Sequence, residues 1–256
     1  MVKNYQNFLI NLISASQCAA LCMAINVMHV PQLAHAQTDQ PITATLADDA
    51  PMIIREQLAQ AHRNNIDAMY EVALYLLKQR AADDDDMAHY AFGWALYAGR
   101  QGQPQASELT GSLYRRGIGV EQNYVRARKW LERALARNSK EANFELALLY
   151  ADEGNPSFNK AKAATYLTEA IKLAEPRACL VSARSKIRDG SSFRKVIGEV
   201  NCAAEGGLVD AMEMLADFNL AQRSPYAEMR ARKWLTRAAE AGSLTAAEKL
   251  TMLDEQ

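Results

Sequence analysis

This chain of 256 residues predicts an all-α fold, a right-handed solenoid of stacked antiparallel helix hairpins. Three observations predict it. Alanines at Ala68, Ala106, Ala142, Ala178, Ala211 and Ala246 are spaced 38, 36, 36, 33 and 35 residues apart, a period in the range of helical-hairpin repeats. All three tryptophans, Trp94, Trp130 and Trp234, stand twelve residues before one of these anchors, and Tyr166 takes that place in the fourth copy. Around anchors and rings alike, apolar residues recur at i, i+3, i+4 and i+7, one stripe of an α-helix.

The elements follow in order. Residues 1–36 stand apart from the repeat. Lys3 is their only acidic or basic side chain apart from histidine, an apolar stretch runs from Phe8 to Val30, and Ala34-His35-Ala36 offers small residues at a cleavage position. This reads as a signal peptide cut before Gln37, with an uncleaved anchor as the alternative. Neither Cys18 nor Cys22 has the small-residue context of a lipid-attachment site, and no other segment is apolar enough to span a bilayer. Residues 37–51, with Pro41 and Pro51, read as a linker, and residues 52–256 as the solenoid, opening on a leading helix.

Each repeat then supplies two helices. Helix A starts at the anchor, as in Ala68-Val72-Tyr75, Ala142-Leu146-Leu149 and Ala211-Leu215-Phe218. A small residue follows five positions on: Ala73, Gly111, Ala147, Ala183 or Ala216. Helix B carries Ala91-Trp94-Ala95-Ala98, Ala127-Trp130-Leu131-Ala134, Ala163-Tyr166-Leu167-Ala170 and Ala231-Trp234-Leu235-Ala238. Small alanines beside one large ring let helices approach while the ring fills the space between repeats, so the rings are expected to be buried. The punctuation agrees. Gly117, Gly154 and Gly190 suit the left-handed end of helix A, and Gly102, Asn138, Gly207 and Gly242 that of helix B. Pro104 and Pro176 fit the first turn of a helix A, and Ser139 and Ser243 are expected to cap one. The fifth copy is the most divergent: Glu199 stands at the ring position, and Ser182, Ser185 and Lys186 dilute the preceding helix A.

The stretches Leu113–Val120, Ala127-Arg128-Lys129-Trp130-Leu131 and Ala231–Gly242 resemble the Sel-one-like repeat (SLR), a relative of the tetratricopeptide repeat. The resemblance covers roughly residues 52–256 and implies an α-solenoid that binds other proteins.

Charge adds little direction. The chain has 29 basic and 30 acidic side chains, net −1, so nothing drives it globally toward nucleic acid or an anionic membrane. Cys179 and Cys202 flank the Gly190-Ser191 turn at equal distance, which brings them to one level of an antiparallel hairpin and makes them a candidate disulfide in an oxidising compartment. The alternative is two separate thiols, since Cys202 occupies the position of Arg133, Glu169 and Arg237 in other copies, an outward face.

No catalytic, cofactor-binding or metal-binding constellation emerges. His62 and His89 lack partners at metal-ligand spacing. Ser157-Phe158-Asn159-Lys160 matches a Ser-x-x-Lys motif without its companion motifs, and so supports a hydrolase only remotely. Asp83-Asp84-Asp85-Asp86 reads as a solvated inter-helix turn whose last residue caps helix B, a calcium or partner contact being the sharper alternative. Arg115, Arg116, Arg126, Arg128, Lys129, Arg133 and Arg137 read as an outer face, or as a surface for an acidic protein or polysaccharide.

Together these readings give a non-catalytic periplasmic scaffold that holds an envelope protein on a concave surface, with Arg115, Arg116 and Glu199 as candidate contacts. The alternative, which the resemblance also implies, is a binding inhibitor: a toxin-immunity protein or a regulator of a periplasmic sensor kinase.

Overall fold

The computed structural model describes residues 52–79 and 85–255. The expected signal peptide (1–36) and linker (37–51) lie outside the described residues. Among those described there are twelve helices and no strand. They run α1 (Met52–Ala61), α2 (Ile66–Gln79), α3 (Asp85–Arg100), α4 (Pro104–Arg116), α5 (Tyr124–Leu135), α6 (Glu141–Ala151), α7 (Lys160–Lys172), α8 (Pro176–Arg188), α9 (Phe193–Glu205), α10 (Val209–Leu220), α11 (Pro225–Glu240) and α12 (Leu244–Asp254). The leading helix is α1. The even-numbered helices from α2 to α12 are the six A helices, and α3, α5, α7, α9 and α11 are the B helices. Each packs mainly on its sequence neighbours, as in an α-solenoid.

The anchor register is the packing register. All six anchor alanines are at most 1% exposed, because a methyl group is all that fits where A and B helices cross. The residue five positions on is buried in each of the first five copies. At Gly111 the reason is direct: a Cβ there would lie 2.7 Å from Leu131 Cγ and 3.1 Å from the Ala127 carbonyl oxygen.

Every turn from a B helix, or from α1, into an A helix places a left-handed residue four positions before the anchor. These are Asn64, Gly102, Asn138, Ala174, Gly207 and Gly242, with φ from 53° to 106°. Alanine at 174 is the costly exception, since its Cβ crowds the backbone there. The next residue often caps helix A. Asn65, Gln103, Glu175 and Ser243 each accept the anchor's amide proton. Two punctuation expectations fail. Ser139 does not cap α6; its hydroxyl donates to Glu141 instead, and Lys140 precedes the helix without a side-chain cap. Gly154 is not left-handed, because Asp152 and Asn155 close that turn through side-chain bonds. The caps formed by Gln103 and Glu175 follow from the same register, their longer side chains doing what serine does at 243.

The rings are buried to different degrees. Trp94 and Trp234 are at most 8% exposed, whereas Trp130 and Tyr166 are only partly buried. Trp130 leans on Gly99 of the preceding B helix and carries the Arg133 guanidinium on its outer face, which leaves one edge open. In α9 the stripe continues through Val196, Val200 and Ala203, all at most 1% exposed, so Glu199 replaces the ring without breaking the helix face.

The apolar core is not one seam. A first cluster runs from Ala61 to Ala163 and a third from Cys179 to Ala246. Between them lies a small group of Phe144, Ala170 and Ala178. The α7–α8 contact is the thinnest between consecutive helices, and polar groups span this junction: Arg177 of α8 reaches Glu145 of α6 at 3.0 Å and lies 4.8 Å over the Phe144 ring.

Candidate functional site

The A helices line up side by side, and the polar residues on the row they share are cross-linked from one repeat to the next. Arg184 of α8 bonds Asp210 at 2.7 Å, at the start of α10. Glu213 of α10 accepts hydrogen bonds from Ser243 and Thr245, which hold its carboxyl below the ordinary range. Lys249 of α12 pairs with Asp217 of α10. Glu145 of α6, 2% exposed, is gripped from both sides by Arg115 of α4 at 3.2 Å and Arg177 of α8 at 3.0 Å. Glu175 completes that knot, taking Arg177 Nε on one oxygen and the Ala178 amide on the other.

One buried position departs from this pattern. Glu108 of α4 stands two residues after its anchor, the register of Glu213. Its neighbours across the row are not hydroxyls but Glu141 and Glu145, with Tyr70 of α2 on the other side. It is 9% exposed, and among the described residues its carboxyl forms neither a hydrogen bond nor an ion pair. Burial, and then the Glu145 charge, push its carboxyl up to about 8; Glu141 and Glu175 add to this and Arg177 opposes it. Burial and the adjacent Glu108 likewise push the Tyr70 phenol up to about 12. An acid buried among other acids costs stability. Such exceptions to a locally consistent sequence concentrate where function overrides packing.

The candidate contacts Arg115, Arg116 and Glu199 are not brought together into one site. Arg115 is largely covered and spent on Glu145, while Arg116 beside it is exposed. Glu199 is salt-bridged to Lys186. Lys186 stands eight residues after its anchor, where α4 and α6 have Tyr114 and Tyr150, and Tyr150 stacks on Tyr166 at 5.7 Å. The Lys186–Glu199 pair therefore replaces a ring-on-ring contact with an ionic one at the same rung. Cys179 and Cys202 are joined as a disulfide, their Cα atoms 6.2 Å apart, linking α8 to α9.

Most of the basic cluster is occupied within the molecule: Arg126 over Tyr114, Arg128 toward Glu132, and Arg133 on the Arg100 carbonyl. His62 stands edge-on to Trp94, and His89 bonds the Gly119 carbonyl. Ser157 lies in an exposed turn with its amide bonded to Asn155, and the Lys160 ammonium sits over Phe158. Asp86 is not the cap expected of it, because α3 already begins at Asp85; Asp83 and Asp84 lie outside the described residues. No group of three or more His, Cys, Asp or Glu residues suited to a metal ion occurs among the described residues.

A family model described as Sel1 repeat matches residues 104–139 and 209–243, which are the α4–α5 and α10–α11 hairpins with their exits. The chitin synthase regulator SKT5 of Saccharomyces cerevisiae is 31% identical over 121 residues, covering 46% of this chain and 17% of that protein. A crystal structure of a Sel1 repeat protein from Oxalobacter formigenes superimposes with a TM-score of 0.54 at 24% identity, over 78% of this chain and 58% of that one. The immunity protein Pa5087 from Pseudomonas aeruginosa does so at 0.53 and 19% identity, over 71% of this chain and 68% of that one. This chain thus spans about a sixth of the yeast relative and somewhat over half of the Oxalobacter structure. The two structural likenesses establish the shared fold.

Proposed function

The chain is a Sel1-like repeat protein, and on that premise we propose that it is a non-catalytic binding adaptor that holds a protein partner on its A-helix row. The observation that carries this is Glu108, a mostly buried acid crowded by Glu145 and Glu141 in a row where Glu145, Asp210, Glu213 and Asp217 are cross-linked. A lysine or arginine from the partner, set between Glu108, Glu141 and the Tyr70 ring, completes the missing rung. Such a cation draws the proton from Glu108, so partner affinity rises as pH climbs from 6 toward 9.

This reading puts the partner in the cell envelope. The Cys179–Cys202 disulfide and the order of Lys3, apolar run and Ala34-His35-Ala36 support an oxidising, exported location. N-terminal sequencing of the protein from its host tests this, Gln37 being the expected first residue. A binding inhibitor of the immunity type is the second reading, supported by the immunity protein Pa5087 among the shared folds.

The test captures partners from envelope extracts with the full chain, with Glu108→Lys, and with charge reversals at Arg115, Arg116 and Glu199. Glu108→Lys is expected to lose the partner while its melting temperature holds or rises, because the new ammonium meets Glu141 and Glu145. Capture that survives every one of these changes, together with turnover of a substrate by the purified chain, overturns the adaptor reading.

A further inference from the structure

Eight residues after each anchor, the A helices present a side chain to a slot walled by the B helices on either side. In α4 the slot holds Tyr114, 6% exposed, whose ring meets Phe92 of α3 edge-on at 5.0 Å. In α6 it holds Tyr150, 4% exposed, stacked on Tyr166 of α7. A cation closes both slots from the start of the following B helix: Arg126 lies 5.7 Å over Tyr114 and Lys162 lies 5.1 Å over Tyr150. In α2 the same position is filled by Leu76, and in α8 by Lys186, paired with Glu199.

In α10 the slot residue is Asn219. Its amide folds back onto the Leu215 carbonyl at 2.7 Å and leaves the space unfilled. A cleft of about 480 Å³ opens there, lined by Ile197 and Asn201 of α9, Phe218 of α10 and Trp234 of α11. The walls of the tyrosine slots are retained: Ile197 stands in the register of Phe92, and Trp234 in that of Tyr166. So is the cation, because Arg230 holds the register of Arg126 and Lys162. With no slot ring beneath it, Arg230 lies instead 4.8 Å over Tyr226, an exposed ring on its own helix. Arg194 lines the cleft as well, and neither arginine pairs with a carboxylate among the described residues.

We propose that this cleft is a docking site for a tyrosine flanked by acidic residues on a partner protein, the ring entering the slot that Tyr114 and Tyr150 fill in their own repeats. The ring packs against Ile197, against Trp234, which already carries Arg237, and against the face of Phe218 that Phe193 does not cover, and Arg230 swings from Tyr226 to cover it. The phenol finds amide partners in Asn201, Asn219 and Gln222. Flanking carboxylates meet Arg194 and Arg230, whose paired charge selects an acidic segment over a basic one. The site lies in a different repeat from Glu108 and does not depend on the reading of that residue.

The test measures binding of the full chain to a capped, dye-labelled pentapeptide with a central tyrosine between pairs of glutamates. Saturable binding is expected, at least tenfold weaker when alanine replaces the tyrosine or lysines replace the glutamates. Asn219→Tyr fills the slot from within and is expected to weaken binding at least tenfold without lowering the melting temperature. Arg230→Glu weakens it comparably while leaving the buried wall intact, and decides the matter if Asn219→Tyr fails to fold. No saturable binding at millimolar peptide, equal binding of the alanine or lysine peptides, or undiminished binding by Arg230→Glu overturns the proposal. So does equal affinity for hydroxyphenylpropionate alone, which would make the site one for a small phenolic acid.

Discussion

Replacing Glu108 by glutamine should make the protein more stable, and increasingly so with pH. The carboxyl stands at about 8 in the folded chain against 4.5 for the free group. A raised acid binds its proton more tightly folded than unfolded. Its contribution is therefore fully present below 4.5 and is lost as pH rises through 8. Each tenfold in proton affinity is worth about 1.4 kcal/mol, which makes the wild type about 1 kcal/mol poorer at pH 5, about 3 at pH 7 and about 5 above pH 9. Glutamine keeps the shape and removes the titration, so the Glu108→Gln advantage follows the same curve. Urea unfolding of both proteins at pH 5, 7 and 9, with equal slopes, measures it. A constant difference across that range, or a variant that is weaker at pH 9, would refute the account of Glu108 as a buried acid crowded by other acids.

Three further outcomes are expected. Ala174→Gly relieves the one left-handed alanine in the anchor turns (φ 53°) and should add about 0.5–1 kcal/mol, read from the melting temperature. Gly111→Ala drives a Cβ into Leu131 and toward the Ala127 carbonyl and should cost about 1–3 kcal/mol by the same measurement. Reducing the Cys179–Cys202 bond, or replacing both residues with alanine, opens a loop whose ends are 23 residues apart and should cost about 3 kcal/mol, with hydrogen exchange rising in α8 and α9 and not in α4 and α5.

The repeat was legible because its signals reinforce one another. Period, stripe, left-handed turn residues and proline positions all derive from one crossing geometry, repeated, and six copies average out local exceptions. The exceptions are what pattern alone misjudged. Ser139 has the right chemistry for a cap, but Glu141 two residues on competes for its hydroxyl. Glu199 reads as a lapse when judged alone. Seen with Lys186 it is half of a paired exchange, and comparing position eight after one anchor with position twelve before the next would have found it. Glu108 left no trace in the pattern, since glutamate is ordinary on an A helix. Only the neighbours brought beside it from α2 and α6 turn it into a buried, crowded acid. The Asn219 slot was hidden in the same way: asparagine is unremarkable until the tyrosines of equivalent copies show what is missing.

The break in the apolar seam between α7 and α8 bears on how the molecule responds to force and heat. In a stack where each layer leans only on its neighbours, cooperativity is set by the weakest interface rather than by the total. Here that interface is bridged by Arg177, Glu145 and Glu175 in place of a continuous run of interlocking side chains. Pulled from its ends, the chain would yield first at this joint and give two force plateaus instead of one. The protein is thus built as two springs in series, joined by a polar coupling that can be altered without touching either spring.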